Sequence, residues 1–263
     1  MLASLPMYNI QPGAVQAWWE QLAQRLAAAG VAAPAELTWP KDIHRHWHDP
    51  KLLISQACGF PLVTELAGQV QVLGTFTYAV QGAQGHLCRS LLIARAADQG
   101  KTLADFKGRV LAHNSADSQS GYNSLRARVA PLADQGAFFS ASKSSGSHLA
   151  SIDMVRCGAA DLASVDCVSW AGIQRYSPES TQGLVVVGQT EAYPGLPLIT
   201  SLQTPAATVA VMRQVLAQAV QDPALQALHQ ALFIKNFVVL EPAHYQVCLD
   251  MRDQALALGC TSL

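Results

Sequence analysis

Apolar and polar positions alternate along the chain in two successive α/β patterns, followed by a purely helical tail. The run ASLPMY near the start predicts a short strand, broken by Pro12-Gly13. Residues 14–29 then place Val15, Trp18, Trp19, Leu22 and Leu26 on one helical face, and Gly30 ends that helix. A second strand is expected at Glu36–Trp39. Asp49-Pro50 is expected to open a helix carrying Leu52, Leu53 and Ile54, and strands follow at Val70–Leu73 and Gly74–Tyr78. The second block gives strands at Leu91–Arg95, Arg109–His113, Ala137–Ser140, Asp161–Asp166 and Gly183–Gln189. Between them lie helices at Leu103–Phe106, Ser120–Leu132, Ser147–Cys157 and Val168–Ile173. Such alternation is the mark of parallel α/β sheets. Helices at Thr204–Gln221, Asp222–Leu232 and Tyr245–Leu258 complete the chain. Extended segments near 75–82 and 189–200 are the expected crossovers, so the pattern predicts two lobes: residues 1–79 with 191–263, and residues 80–190. Each would be a mainly parallel sheet flanked by helices, with a ligand cleft between lobes.

Composition narrows the function classes. Of 263 residues, 13% are charged and the net charge is −1, which leaves no concentrated basic face for nucleic acid. No apolar run approaches the roughly 20 residues of a membrane span, so no membrane insertion is expected. Six cysteines form no CxxC pair, which argues against zinc or thioredoxin-like chemistry and predicts reduced, buried thiols. His44, His46 and His48 would share one side of a strand, but Asp49-Pro50 breaks the element and a surface loop is the simpler reading. GxxxxGK[ST] and GxSxG are both missing, and no cofactor is expected. The start MLASLPMYNI carries no basic residue and reads as a core strand, which favours the cytoplasm if Met1 is the native start.

The chemistry concentrates at two strand-to-helix junctions. Ser118, Gln119, Ser120, Gly121 and Tyr122 follow the strand Arg109–His113 and open a helix. First-turn N–H groups, two hydroxyls and a glycine there suit a small anion, although a serine at this place is also an ordinary N-cap. Ser147-His148 opens the next helix, where the imidazole is a cleft candidate. Asp166 ends a strand and is expected to accept from a ligand amine or hydroxyl. Tyr8 and Tyr78 are candidates for the cleft wall.

Several segments together resemble the substrate-binding proteins of ABC importers for phosphate, phosphite and phosphonate: LPMYN, SQACGFPL, GTFTY, SQSGYNSLR, GSHLASIDMV, ADLASVD and PGLPLIT. The resemblance implies a type II periplasmic-binding-protein fold, two α/β lobes with a double-crossover hinge. It implies that Ser118, Gln119 and Ser120 meet the oxyanion and that His148 is the cleft histidine. It further implies a periplasmic location and a transporter permease as partner. Where that family often reads Tyr-x-Ser, this chain has Cys88-Arg89-Ser90, with Ser90 as a further ligand candidate. Two other readings stand beside it. One is a cytoplasmic enzyme on the same fold, like those of menaquinone or thiamine-pyrimidine synthesis; the other is an effector-sensing domain acting through a separate partner.

Overall fold

A computed structural model describes residues 1–133 and 136–263. Its strands are, in chain order, β1 (Leu2–Ser4), β2 (Leu52–Gln56), β3 (Val70–Tyr78), β4 (Leu87–Cys88), β5 (Ser90–Arg95) and β6 (Val110–His113). They continue with β7 (Ala141–Ser144), β8 (Leu162–Asp166), β9 (Leu184–Gln189), β10 (Tyr193–Pro194), β11 (Pro197–Ser201) and β12 (Ile234–Val238). The chain forms two compact units. The first holds Met1–Ala79, Gln84–His86 and Pro194–Tyr245; the second holds Val80–Ala83, Leu87–Tyr193 and Gln246–Leu263.

The first unit is built on a five-stranded sheet in the order β1-β2-β11-β3-β12. Among the described residues β1 and β2 pair in parallel, while β11 runs antiparallel to both β2 and β3, and β12 antiparallel to β3. The sheet is therefore mixed rather than mainly parallel, because the returning strand β11 is inserted between β2 and β3. Leu52–Gln56 is the strand β2, not a helix. All five of its residues are buried, and a short run hidden on both faces satisfies a central strand better than an amphipathic helix. Glu36–Trp39 forms no strand. Pro34 and Pro40 flank it, and one ladder-like bond, Thr38 N–H to the Ala3 carbonyl at 2.7 Å, ties it to β1.

Apolar side chains cover both faces of this sheet. Trp47, Leu62, Leu66, Leu240 and Tyr245 pack with Leu52, Val70, Val72 and Ile199 on one side. On helix Pro12–Ala28, Trp18 meets Phe76 edge-on at 5.2 Å. The histidine cluster lies on a helical turn, Ile43–Trp47, capped by Asp42, so its rings diverge. His46 is buried with Nε2 2.8 Å from Ser4 Oγ, whereas His44 pairs with Glu65 at 2.7 Å. Among the described residues, no group of three or more His, Cys, Asp or Glu could hold a metal.

The second unit has a five-stranded sheet in the order β7-β6-β8-β5-β9. Its β7-β6-β8 half is parallel, and β5 runs antiparallel to both β8 and β9. Ala137–Ser140 is not the strand expected there; β7 begins at Ala141. The core joins Leu92, Phe106, Leu111, Leu125, Val129 and Leu162 with Ala255 and Cys260 from the chain's end. That contact corrects the expected boundary. Helices Ala206–Ala219 and Gln226–Ala231 belong to the first unit, but helix Gln246–Ala257 belongs to the second, because its apolar side completes this core. None of the six cysteines is in a disulfide; Cys157 is exposed and Cys58 half-buried, against the expectation that all six are core residues.

Gly74 sits where the register of β3 against β11 shifts. A Cβ there would stand 2.4 Å from the Val238 carbonyl oxygen and 2.6 Å from the Phe237 ring. Gly74→Ala is expected to lower stability by about 1–3 kcal/mol, the usual cost of overpacking. Urea unfolding should show the midpoint falling at constant slope; an unchanged midpoint would mean β12 moves aside freely.

Candidate functional site

The serine turn begins where β6 ends. Ser118 is an N-cap: its Oγ accepts the Gly121 N–H at 3.0 Å. The first turn is wide. Asn123 N–H reaches the Ser118 carbonyl at 2.9 Å and Ser124 N–H reaches that of Gln119, five residues back in each case. Such π-type turns concentrate at functional sites. The first-turn N–H groups have no intrahelical acceptor available to them, and they lie at the positive end of the helix dipole.

The second loop is stitched to the first. Ser145 N–H donates to the His113 carbonyl at 2.8 Å and Gly146 N–H to the Asn114 carbonyl at 2.9 Å, extending the β6–β7 pairing beyond the strands. Ser147 then caps helix His148–Arg156 by accepting from Ala150 N–H at 3.1 Å. The result brings His148 Nε2 to 3.0 Å from Ser120 Oγ, joining residues 28 apart in sequence. Ser118 Oγ lies 3.4 Å from Ser120 Oγ, a long contact that leaves both hydroxyls only weakly engaged with each other.

Proton positions follow from what each atom faces. His148 is half-buried as a residue, but its Nδ1 is closed from solvent and meets no hydrogen-bond partner among the described residues. Burial lowers its pKa to about 4, so the ring is neutral at pH 7. A buried N–H without an acceptor is costlier than a bare lone pair, which places the single proton on Nε2. Nε2–H donates to Ser120 Oγ, and the Ser120 hydrogen is left to point elsewhere. Ser118 accepts from Gly121 N–H, and its hydrogen is likewise left to point elsewhere. Both hydroxyls are then donors toward whatever sits before them, without a formal positive charge.

The other expected site residues are placed differently. Gln119 is turned inward: its Oε1 accepts from Asn123 Nδ2 at 2.8 Å and its Nε2 contacts Met251 Sδ at 3.2 Å. Gly121 makes room for Asn114 rather than for a ligand, since a Cβ would fall 1.8 Å from Asn114 Oδ1. Tyr122 OH accepts the Leu263 N–H at 3.0 Å, and its ring stands edge-on to His113 at 4.9 Å. Ser90 is fully buried beneath the turn, with Oγ 2.8 Å from the Ser120 carbonyl. Asp166 is buried and caps helix Cys167–Tyr176, accepting from Val168 and Ser169 N–H at 2.8 and 3.1 Å. A carboxylate held in that way is poorly placed to meet an amine. Tyr8 and Tyr78 pack edge to face at 5.3 Å within the first unit.

Sequence reasoning missed the layer behind the turn. Ser124, Ser164 and Tyr193 were not singled out, yet the first two donate to the Ser120 carbonyl and the third reaches Ser90. Ser124 was legible as lying four residues after Ser120 on a helix. Ser164 and Tyr193 come from β8 and β10 and carry no local signal. Asn123 links the turn to the Cys248 carbonyl at 2.8 Å, and Arg126 links it to the Thr261 carbonyl at 3.0 Å, so the chain's end braces the turn from within the same unit.

The fold is shared with type II periplasmic binding proteins. It matches PhnD1 from Prochlorococcus marinus in complex with methylphosphonate, with a TM-score of 0.77 at 13% identity over 96% of this chain and 97% of that one. A binding-protein component of an ABC phosphonate transporter from Pseudomonas aeruginosa matches with a TM-score of 0.76 at 15% identity, covering 98% and 88%. XAC2383 from Xanthomonas citri, bound to ATP, matches with a TM-score of 0.68 at 18% identity over 98% and 97%. At such identities these likenesses establish the fold alone. No curated protein matches the sequence. The family model for periplasmic phosphonate substrate-binding proteins of ABC transporters matches residues 52–245, well over half the chain, and the protein belongs to that family. Among the described residues, no helix is long and apolar enough to cross a membrane.

His148 gives a pH prediction. Its folded pKa is depressed below the unfolded value of 6.5, so its contribution is complete above pH 6.5 and is lost as pH falls through about 4. Ligand-free protein should lose stability across that window. His148→Gln, which stays neutral and keeps an amide donor, should flatten part of the decline in a pH series of chemical unfolding. Identical pH profiles for the two proteins would contradict the buried neutral ring.

Proposed function

We propose that this protein is the solute-capturing component of an ABC-type uptake system for a small phosphorus oxyanion, and that Ser118 and Ser120 of the serine turn hold the anion. The geometry that carries the reading is the donor behind each serine oxygen. The Gly121 N–H donates into Ser118 Oγ and, with its proton on Nε2, His148 donates into Ser120 Oγ, so each hydroxyl keeps a hydrogen to give to a ligand. A ligand that only accepts hydrogen bonds fits such a site, and neutral dipoles at a helix start are suited to oxyanions. The family model names phosphonate as the ligand class. Asp166 is committed to its helix cap, which favours phosphate, phosphite or an alkylphosphonate over an aminophosphonate. Methylphosphonate in PhnD1 belongs to that class. The same family membership supports a periplasmic location and a transporter permease as partner.

The enzyme reading finds no support in the comparisons or in the site. A serine nucleophile needs a base that takes its proton and a third group that orients the base. Here the imidazole donates a hydrogen bond to Ser120, its pKa of about 4 makes it a poor base at pH 7, and its Nδ1 meets no carboxylate among the described residues.

The test is a thermal-shift and calorimetric series with phosphate, phosphite, methylphosphonate, 2-aminoethylphosphonate, sulfate and small carboxylates. A ligand at 100 times its Kd adds about 2.7 kcal/mol of stability. Phosphorus oxyanions without an amine should stabilise the protein, and Ser120→Ala should weaken binding by 10-fold or more, the loss of a charge-assisted hydrogen bond. A carboxylate preferred over every phosphorus ligand, or wild-type affinity in Ser120→Ala, would refute the reading. Affinity should also rise with pH through the ligand's own second ionisation, because donors favour the fully deprotonated oxygen. A flat profile from pH 6 to 8.5 would contradict outward donation by both serines.

A further inference from the structure

Behind the serine turn lies a chain of hydroxyls that leads to the point where the polypeptide leaves the second unit. The Ser120 carbonyl is met by Ser164 Oγ at 2.7 Å, Ser90 Oγ at 2.8 Å and Ser124 Oγ at 3.2 Å. Ser90 Oγ is in turn 2.7 Å from Tyr193 OH. Tyr193 lies in β10, a two-residue strand paired with β4, and the next residue, Pro194, belongs to the first unit.

The Ser120 carbonyl oxygen only accepts. With Ser90 giving its hydrogen there at 2.8 Å, rather than to Ser124 Oγ at 3.2 Å, Ser90 Oγ is left to accept from Tyr193 OH. Tyr193 is 3% exposed, and burial next to Asp166 raises its pKa well above the ordinary phenol value, so it keeps the proton it donates. The Ser120 carbonyl and the Gly121 N–H are two ends of one amide. Donors on the oxygen polarise that amide and strengthen its N–H, which donates to Ser118 Oγ at 3.0 Å. The series Tyr193 O–H, Ser90 O–H, Ser120–Gly121 amide, Ser118 O–H is therefore continuous, and each member donates to the next.

We propose that Tyr193 is a positioning residue for anion binding: through Ser90 and the Ser120–Gly121 amide, its hydroxyl sets the direction and donor strength of Ser118. The inference rests on the reading that the serine turn holds the anion. It adds that the segment at which the chain passes between units is wired to that turn, so a change in backbone at Tyr193-Pro194 is felt at Ser118.

The experiment is a double-mutant cycle on binding, with methylphosphonate as probe and calorimetric Kd as readout, alongside the melting temperature of each ligand-free variant. Tyr193→Phe is expected to raise Kd about 2- to 3-fold, because the Tyr193–Ser90 bond is present with and without ligand and only its cooperative share, about 10–30% per bond, reaches Kd. Ser90→Ala should do the same, and the double variant should be no weaker than the weaker single, because both break one series. A merely structural tyrosine would lower the melting temperature but leave Kd of the folded protein unchanged, and its effect would add to that of Ser90→Ala; either result overturns the proposal. If Tyr193→Phe does not fold, 3-fluorotyrosine at position 193, a stronger donor of nearly equal shape, should tighten binding, and an unchanged Kd would overturn the proposal. Ser120→Ala separates the two claims. If it binds like wild type, the serine turn is not the site and both fall. If it loses binding while Tyr193→Phe retains it, only the inference about Tyr193 fails.

Discussion

The carbonyl of Ser120 is the atom on which the serine turn depends. It gathers hydroxyls from β5, β8 and its own helix, and so fixes a turn that is otherwise wide and irregular. Buried polar groups need partners, and a network in which each group is satisfied holds one geometry rather than several. That geometry brings the Gly121 N–H onto Ser118 Oγ and His148 Nε2 to 3.0 Å from Ser120 Oγ. Neither a lysine nor an arginine is needed for the arrangement. Arg126, the nearest cation in the motif, is spent on the Thr261 carbonyl and on Asn123 Oδ1. A site of neutral donors binds an oxyanion by direction more than by charge, and it discriminates by the protonation state of the oxygen it meets.

The end of the chain supplies the second support. Helix Gln246–Ala257 gives the Cys248 carbonyl to Asn123 and the Met251 sulfur to Gln119, and the segment after it gives the Thr261 carbonyl to Arg126 and the Leu263 N–H to Tyr122. Four residues of the SQSGYNSLR motif thus serve the packing of the turn rather than the ligand. This is why the motif is long: Gln119, Tyr122, Asn123 and Arg126 anchor it within the unit, and Ser124 donates back to the Ser120 carbonyl.

The two-block α/β pattern, the serine turn and the first-turn histidine were legible in the sequence because each is local. Helix starts announce themselves by serine followed by apolar periodicity, and Ser118 and Ser147 do cap their helices. Sheet direction was not legible. Alternation of strands and helices suggests parallel pairing, but β11 returns antiparallel between β2 and β3, which no window of sequence contains. Leu52–Gln56 was misread for a related reason: a short run buried on both faces has no period to distinguish strand from helix. Asp166 was legible as a strand-end carboxylate, but an Asp before a helix is equally an N-cap, and here the cap prevails. The hydroxyls of Ser164 and Tyr193 converge only in three dimensions, and no spacing reveals them.

A neutral His148 with its proton on Nε2 leaves Ser120 with a hydrogen to give. The most direct measurement is a two-bond nitrogen–proton NMR correlation of the His148 ring in ligand-free protein at pH 7. One neutral tautomer is expected, with Nε2 protonated and Nδ1 bare. A proton on Nδ1, or on both nitrogens at that pH, would contradict it, because Ser120 would then either donate to the ring or face a charged one.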